Sequence, residues 1–148
     1  MSNGKLLPCK ITHHVHDHCL CLQVQRSARA LARRFDEALR PIGITQGQFS
    51  LLMSLNQPEP PSMGKVAAFL AVDRTTLTAN IKPLEKRGLL KVTVDGRDRR
   101  NRRLQLTQAG YRLLIKAMPI WTRTHADVDR LLRDHDANAL RVMLALLS

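Results

Sequence analysis

Aromatic side chains are scarce in this chain of 148 residues: Phe, Trp and Tyr together make up 3% of the sequence. Apolar residues of all kinds make up 44%, so Leu, Ala, Val and Ile must fill most of the core. This aliphatic bias favours a mainly helical fold, because Leu and Ala are among the best helix formers. The length suits one domain that can bury a hydrophobic core without the help of disulfide bonds.

Long apolar runs and disulfide patterns are also missing. No apolar window of about 18 residues occurs, which excludes a membrane-spanning helix in the sequence. No apolar segment followed by a small-residue cleavage site begins the chain, so secretion is not expected. Three cysteines, Cys9, Cys19 and Cys21, are an odd number in one region and fit a reducing compartment. The sequence therefore predicts a cytoplasmic protein.

Motifs of the common enzyme classes are absent as well. The sequence contains no glycine-rich phosphate loop, no nucleophile elbow and no His-Glu-x-x-His pair. We therefore expect a protein that is not an enzyme and that needs no cofactor.

Positive charge is abundant and concentrated. The chain has 24 Lys and Arg against 12 Asp and Glu, a formal net charge of +12. The stretch from Lys82 to Arg103 has nine basic and three acidic residues, so its net charge of +6 is half of the total. Such a concentration favours a polyanionic partner, either nucleic acid or an anionic membrane surface.

The N-terminal third divides into an arm and helices. Residues 1–16 show no helical period and are predicted to form a flexible arm. From about Cys19 to Arg40, apolar residues recur every three or four positions, which predicts an amphipathic helix that ends before Pro41. A second helix is expected after Thr45, because its spacing from a glutamine three residues on fits a capping box.

The middle of the chain predicts two short helices and a hairpin. Ser62 can cap the first helix and Asp73 the second, which ends at Gly88. Apolar and polar residues then alternate on both sides of a turn at residues 95–102, the pattern of a β-hairpin. Beyond the hairpin, Thr107 can cap a long helix and Asp136 a final one.

This order of helix, tight turn, helix and basic-tipped hairpin is that of a winged helix-turn-helix, whose second helix fits the major groove of DNA. The face opposite Leu77, Ile81 and Leu84 is predicted to contact bases and phosphates, although a solvated helix face could carry the same residues. These predicted DNA contacts are Arg74, Thr75, Thr76, Thr78, Asn80 and Lys82.

The hairpin tip strengthens the DNA-binding interpretation, because clustered arginines repel one another unless they meet an anion. The predicted contacts with phosphates and the minor groove are Arg97, Arg99, Arg100 and Arg102. Asp95 and Asp98 are predicted to support the wing by holding the arginines in place. Turn formation alone is the alternative role for these two acids.

Two segments resemble MarR-family transcriptional regulators. Residues 73–89 (DRTTLTANIKPLEKRGL) are similar to the recognition helix of the family, including a proline that many members carry. Residues 95–100 (DGRDRR) and 104–110 (LQLTQAG) resemble its wing and the start of the following helix. The similarity extends from about Cys19 to the C-terminus.

The resemblance implies a mainly α fold with a small two-stranded β wing and a homodimer formed through N- and C-terminal helices. A single domain would cover residues 17–148, with the winged helix-turn-helix at about 45–107. The dimerisation helices would lie at about 17–40 and 108–148. A two-fold dimer should bind double-stranded DNA at a pseudo-palindromic operator. The usual family mechanism is repression relieved by a small ligand or an oxidant.

The signal that controls binding has three candidates. Cys19 and Cys21 are a possible redox sensor, because a helix N-terminus lowers a thiol pKa, although packing of these small side chains in the dimer interface is favoured. The second candidate is a small aromatic ligand in a cavity between the dimer helices and the DNA-binding lobe. The third is a metal ion, but the spacing fits no known motif and a polar arm is favoured. The metal ligands considered are His13, His14, His16, His18, Cys19 and Cys21.

A non-specific architectural or RNA-binding protein is the alternative function. Such a protein would use exposed aromatic residues to stack bases. The aromatic residues here fall mostly at apolar helical positions and are expected in the core. They are Phe35, Phe49, Phe69, Tyr111 and Trp121.

Overall fold

The structure is a computed structural model that describes residues 7–148. Its helices are α1 (Cys9–His18), α2 (Leu20–Leu39), a short 3₁₀ turn (Arg40–Ile42), α3 (Gln46–Ser54), α4 (Met63–Phe69), α5 (Arg74–Lys86), α6 (Gln108–Leu131) and α7 (Ala137–Ala145). Strands β1 (Leu90–Val94) and β2 (Arg102–Leu106) form one antiparallel sheet. The predicted mainly helical fold with a two-stranded wing is confirmed.

The segment before α2 differs from its prediction. The structure has a ten-residue helix, α1, where the sequence predicts an arm without helical period. The prediction is wrong for residues 9–16, and residues 1–6 lie outside the described part of the chain. Leu7, Ile11 and Val15 share one side of this segment and are all exposed. Three apolar residues among many histidines give a weak periodic signal, which explains the error.

Side-chain caps begin most of the helices at the positions that the sequence predicts. Thr45 and Gln48 form a full capping box, in which each side chain bonds the other residue's backbone amide. The helices α4, α5, α6 and α7 each begin with a residue whose side chain accepts a hydrogen bond from a backbone N–H of the first turn. These residues are Ser62, Asp73, Thr107 and Asp136. Each cap satisfies an amide that has no partner within its own helix.

The core lies inside the winged helix-turn-helix, where α3, α4, α5 and the sheet pack against the end of α2 and the first half of α6. Its fully buried side chains are mostly leucines, as the aliphatic composition predicts. Examples are Leu39, Leu52, Leu77, Leu84 and Leu104.

Two aromatic residues lie outside this core. Phe69 is 74% exposed and Tyr111 is 44% exposed, so the expectation that the aromatics are buried is wrong for both. The buried side of α4 is formed by Val66 and Ala67. Phe69 lies two residues beyond Ala67, about 200° further around the helix, and therefore projects to solvent.

The turn between α4 and α5 contains a strained alanine. Ala71 has a φ of 52°, a left-handed conformation that is otherwise found only at glycines in residues 7–148. Because its Cβ crowds the backbone there, the conformation costs roughly 1 kcal/mol. The tight turn that positions α5 is therefore held by the packing of α4 and α5 on either side of it.

Replacing Ala71 with Gly is expected to raise the free energy of unfolding by about 1 kcal/mol, because Gly adopts this conformation without strain. Urea denaturation would measure the change. The matched control is Ala68→Gly, an exposed position inside α4. There Gly should lower stability by up to about 1 kcal/mol. If both variants were destabilised alike, strain at Ala71 would be excluded.

Candidate nucleic-acid interface

Helix α5 separates a buried side from an exposed side. Leu77, Ile81 and Leu84 are buried against the core. The residues predicted to contact DNA are all exposed: Arg74, Thr75, Thr76, Thr78, Asn80 and Lys82. The sequence therefore places these side chains correctly at the surface, where a duplex could reach them.

The exposed residues fall into three sectors of the helix. At about 100° per residue, Thr75 and Lys82 lie on the side of the helix opposite its buried residues and project furthest from the core. The buried residues are Leu77, Ile81 and Leu84. Arg74 and Thr78 lie on the side of the wing, where they line a cleft with wing residues. Asn80 lies on the other side, beside a cavity of about 180 Å³ formed with the start of α3.

Two of the threonines have internal hydrogen bonds. The Thr76 amide donates to Asp73 Oδ1 at 2.6 Å. This amide, followed by the Thr76 side chain, lowers the pKa of Asp73 below its ordinary value. The Thr78 hydroxyl donates to the backbone carbonyl of Arg74 at 2.8 Å. Thr75, in contrast, combines exposure with the most outward position, so it is the hydroxyl best placed for base contact.

The wing pairs Leu90 with Leu106 at its base and Val94 with Arg102 at its tip. Beyond the strands, the Asp95 amide donates to the Asn101 carbonyl at 2.9 Å and closes the loop. The four arginines predicted to contact DNA are exposed here: Arg97, Arg99, Arg100 and Arg102. The tip therefore presents a dense group of cations to solvent.

Asp95 supports the wing through an arginine that the sequence analysis did not select. It accepts a hydrogen bond from the Arg97 amide and forms an ion pair with Arg103, both at 2.9 Å. Arg103 also donates to the Pro60 carbonyl at 2.8 Å. The Arg103 guanidinium therefore fastens strand β2, near its tip end, to the loop before α4. No local pattern signals this role, because Pro60 lies 43 residues away in sequence.

The backbone reinforces that attachment. The Leu104 amide donates to the Pro61 carbonyl at 2.9 Å, and Ser62 forms an isolated β-bridge with Arg103. Strand β2 is thus attached along its length to the loop that leads into α4. These contacts, and not the turn at the tip, fix the position of the wing relative to α5.

Asp98 acts differently from Asp95. Its carboxylate accepts from the Arg100 amide at 2.9 Å and from the Asn101 side chain at 3.2 Å. These contacts are those of a turn-forming residue, which is the alternative that the sequence left open. The arginine side chains of the tip stay available for a ligand.

The pKa of Asp95 is lowered, first by the Arg97 amide and then by the Arg103 side chain. A carboxyl whose pKa is lower in the folded protein stabilises the fold at pH values above its ordinary pKa of 3.8. This stabilisation is lost as the pH falls through the pKa of the folded state. We expect Asp95→Asn to lose less stability than the wild type between about pH 5 and pH 2.5. Thermal unfolding across this range would test it, and parallel pH profiles would contradict it.

A cationic cleft joins the two parts of the candidate interface. Its volume is about 200 Å³, and it lies between the start of α4, helix α5 and the wing. Arg74, Arg100 and Arg102 contribute guanidinium groups to its lining. Guanidinium groups bind phosphate oxygens through paired charged hydrogen bonds, so the cleft suits a DNA phosphate.

Comparison with known proteins agrees with this geometry. The MarR family profile matches residues 44–101, from the end of the 3₁₀ turn to the wing. The Mycobacterium tuberculosis transcriptional regulator MosR in complex with DNA is 36% identical, with a TM-score of 0.80 over 88% of this chain and 93% of that one. The chain belongs to the MarR family. MarR proteins are transcription regulators and not enzymes, so the prediction of a DNA-binding regulator without enzyme activity is confirmed.

Two further relatives are similar to this MarR-family regulator. The transcriptional repressor CouR, bound to a 23-mer DNA duplex, is 30% identical with a TM-score of 0.78 over 90% of this chain and 94% of that one. The organic hydroperoxide resistance regulator of Bacillus subtilis is 29% identical over 75% of this chain and 76% of its own. The fold and the DNA-binding class are therefore shared with known transcriptional regulators.

The cysteines lie apart from the interface. Cys19 caps α2, and its sulfur accepts from the Leu22 amide at 3.4 Å. The Cys21 sulfur accepts from the Gln25 side chain at 3.2 Å. Cys9 and Cys21 are exposed, Cys19 is partly buried, and all three are free thiols.

The histidines of α1 do not assemble a metal site within the described residues. His14 and His18 stack with ring centroids 4.2 Å apart. Across residues 7–148, no three His, Cys, Asp or Glu side chains come together as metal ligands. In the same residues, no helix is both long enough and apolar enough to cross a membrane.

Proposed function

We propose that this MarR-family regulator is a homodimeric, operator-specific repressor that a small aromatic ligand or an oxidant releases from DNA. The observation that carries the proposal is the shared exposed surface of α5 and the wing. Outward polar side chains of one helix lie beside unpaired arginines, which together suit one half-site of duplex DNA. The sequence-selected residues on α5 and at the wing tip are proposed as the DNA contacts.

The terminal helices supply the reason for a dimer. Helix α7 has no buried residue, although it carries a row of apolar side chains. An amphipathic helix with no covered side needs a partner. The exposed apolar residues of α7 and the C-terminus are Leu140, Val142, Met143, Leu144, Leu146 and Leu147.

A second copy of the chain is the proposed partner, because Leu7, just before α1, and Ile11 and Val15 within it are also exposed apolar residues, at the other end of the same chain. In a two-fold dimer the same surfaces meet twice. Dimerisation helices at about 17–40 and 108–148 would then flank the winged helix-turn-helix at about 45–107. Two recognition helices would face a pseudo-palindromic operator.

A footprint on DNA upstream of the gene for this chain, with excess random competitor, tests specificity. We expect a discrete protected palindrome with half-sites about one helical turn apart. A panel of genomic fragments extends the search if that region is not protected. Uniform, competitor-sensitive binding to every fragment would favour the architectural alternative.

An oxidant is one proposed input, because Cys19 caps α2 and Cys21 lies in its first turn. A hydroperoxide would take two protons and two electrons from Cys19 and Cys21, giving a disulfide, an alcohol and water. The Cys19 sulfur caps α2 by accepting a hydrogen bond from the Leu22 amide. A disulfide to Cys21 would break this cap and distort the first turn of α2. Because α2 belongs to the proposed dimer interface, that change would alter the spacing of the two DNA-binding lobes.

Peroxide-induced release from DNA, compared between wild type and a Cys19→Ser/Cys21→Ser variant, tests this input. Release should be lost in the double variant and should be reversed in the wild type by dithiothreitol. Cys9→Ser is the matched control, since Cys9 is exposed but lies ten residues before Cys19. Release that persists in the double variant excludes these thiols as the sensor.

A ligand is the other proposed input, because an apolar cavity of about 390 Å³ lies where α2, α3 and α6 meet. Phe35, Trp121 and His125 line it, with Gln46 as a polar group. Aromatic walls with few polar groups suit a flat aromatic acid, whose carboxylate could accept a hydrogen bond from the His125 ring or the Gln46 side chain.

The single tryptophan of the chain makes the cavity observable. Titration with phenolic and other aromatic acids should change the fluorescence of Trp121, and the same compounds should release the operator. Leu31→Phe, which narrows the cavity without adding a second tryptophan, should weaken both effects together. Release without any effect of this substitution would place the ligand elsewhere.

A further inference from the structure

We propose that Arg87 is a positioning residue that fixes the recognition helix to the end of α2 and thereby sets the spacing between half-sites. This inference rests on the proposed function, because it presumes a dimer on a palindromic operator. Arg87 belongs to the basic stretch from Lys82 to Arg103, where charge alone would assign it to DNA.

The side chain of Arg87 forms a long-range contact. It is the last residue of the α5 region, and its Nη1 donates to the carbonyl oxygen of Gly43 at 2.7 Å. The two residues are 44 positions apart in sequence. The contact therefore ties the C-terminus of the recognition helix directly to the segment that ends α2.

Gly43 has a well-defined backbone conformation. It ends the 3₁₀ turn that continues α2, and its φ of 73° directs the backbone into α3. A Cβ at this position would lie 3.6 Å from Arg87 Nη2, so the guanidinium packs on the bare glycine. The next residue, Ile44, is buried and anchors the turn in the core.

The contact has a consequence for operator geometry. In the proposed dimer, α2 lies in the interface, and the distance between the two recognition helices sets the half-site spacing. A shift at the end of α5 relative to α2 would be doubled by the two-fold axis. The Arg87 contact restricts that shift at the end of α5 that lies farthest from the turn at Ala71.

Arg87 also differs from the wing arginines in how its charge is used. Arg87 is exposed like the arginines of the wing tip, but its guanidinium donates to a backbone carbonyl of its own chain and is therefore already engaged. A side chain that neutralises a phosphate releases condensed counterions, and each such contact adds about 0.9 to the salt slope of binding. A positioning residue adds nothing to that slope.

The experiment measures binding of wild type, Arg87→Ala and Lys86→Ala to the operator over a range of salt concentrations. The same proteins are tested on operators with one base pair inserted or deleted at the centre. Lys86 is the matched control, an exposed cation one position earlier on the same helix. Thermal unfolding monitors folding, and Arg87→Gln serves as a second variant because it removes the charge but keeps a hydrogen-bond donor.

For Arg87→Ala we expect operator affinity to fall by roughly fivefold with an unchanged salt slope. Discrimination between the natural and altered spacings should shrink in the same variant, and Arg87→Gln should fall between it and wild type. Lys86→Ala should keep the wild-type discrimination. A slope lower by about one would make Arg87 a phosphate contact and overturn the proposal. Unchanged spacing discrimination in a folded Arg87→Ala would overturn it as well.

The result for the wild-type protein distinguishes a failure of this inference from a failure of the proposed function. If wild type itself does not distinguish operator from random DNA, the operator-specific function fails. If wild type distinguishes both sequence and spacing while Arg87→Ala does so equally well, only the role of Arg87 fails.

Discussion

Replacing Gly110 with Ala is expected to lower the free energy of unfolding by about 3 kcal/mol. Gly110 is buried in the first turn of α6, directly against the start of the wing. A Cβ at this position would overlap the carbonyl oxygen of Leu89 and lie 2.8 Å from Leu106 Cδ1. Because one of these atoms belongs to the backbone, a change of rotamer cannot relieve the overlap.

The same overlap would affect the wing. Near Gly110, the Thr107 amide donates to the Leu89 carbonyl at 3.2 Å and its hydroxyl donates to the Gly88 carbonyl at 2.6 Å. Moving α6 away from β1 would stretch both hydrogen bonds. We therefore expect Gly110→Ala to weaken DNA binding as well as folding.

Urea denaturation and operator binding would measure the two effects. Gly47→Ala is the matched control, because Gly47 also lies in the first turn of a helix and its Cβ would meet only Thr45 Oγ1 at 4.0 Å. That substitution should be neutral or stabilise by up to about 1 kcal/mol. A Gly110→Ala protein as stable as wild type would show that α6 and β1 can separate freely.

Removing two wing arginines together, Arg97→Ala/Arg99→Ala, is expected to lower affinity for every DNA sequence by about tenfold per arginine. Both side chains are exposed at the tip, beyond the paired strands. If each contacts one phosphate, the salt slope should fall by roughly 1.8 in total. The ratio between operator and random DNA should change little, because phosphate contacts carry no sequence information.

Substitutions on α5 should behave in the opposite way. Thr75→Ala or Asn80→Ala should reduce sequence preference, at roughly 1–3 kcal/mol per lost base contact, and leave the salt slope near the wild-type value. The control for charge is Arg133→Ala, an 80% exposed arginine in the turn between α6 and α7. If the wing and helix variants behaved alike, the assignment of phosphate and base contacts would be wrong.

Local signals predicted most of the DNA-binding lobe. Thr45, Ser62, Asp73 and Thr107 begin helices where their side chains suggest. The alternation of residues around the basic turn predicted the wing, whose strands pair as expected. These features depend on neighbours within a few residues, so one sequence contains the information.

Long-range contacts were not predictable in the same way. Arg103 and Arg87 look like other members of the basic stretch, but their guanidinium groups donate to Pro60 and Gly43, each more than 40 residues away. Their partners are backbone carbonyls, which have no side-chain identity that a sequence pattern could reveal. The exposure of Phe69 likewise depends on which sector of a seven-residue helix meets the core.

The attachment of the wing at Arg103 divides the hairpin into a fixed root, formed by the paired strands, and an adaptable tip beyond them. The root shares hydrogen bonds with residues 60 and 61, whereas residues 96–101 are exposed and held only by their own turn. Conformational entropy therefore concentrates at the tip, where arginines can adjust to grooves of different width without moving the root. We expect the regulator to tolerate sequence variation under its wings far better than under its recognition helices.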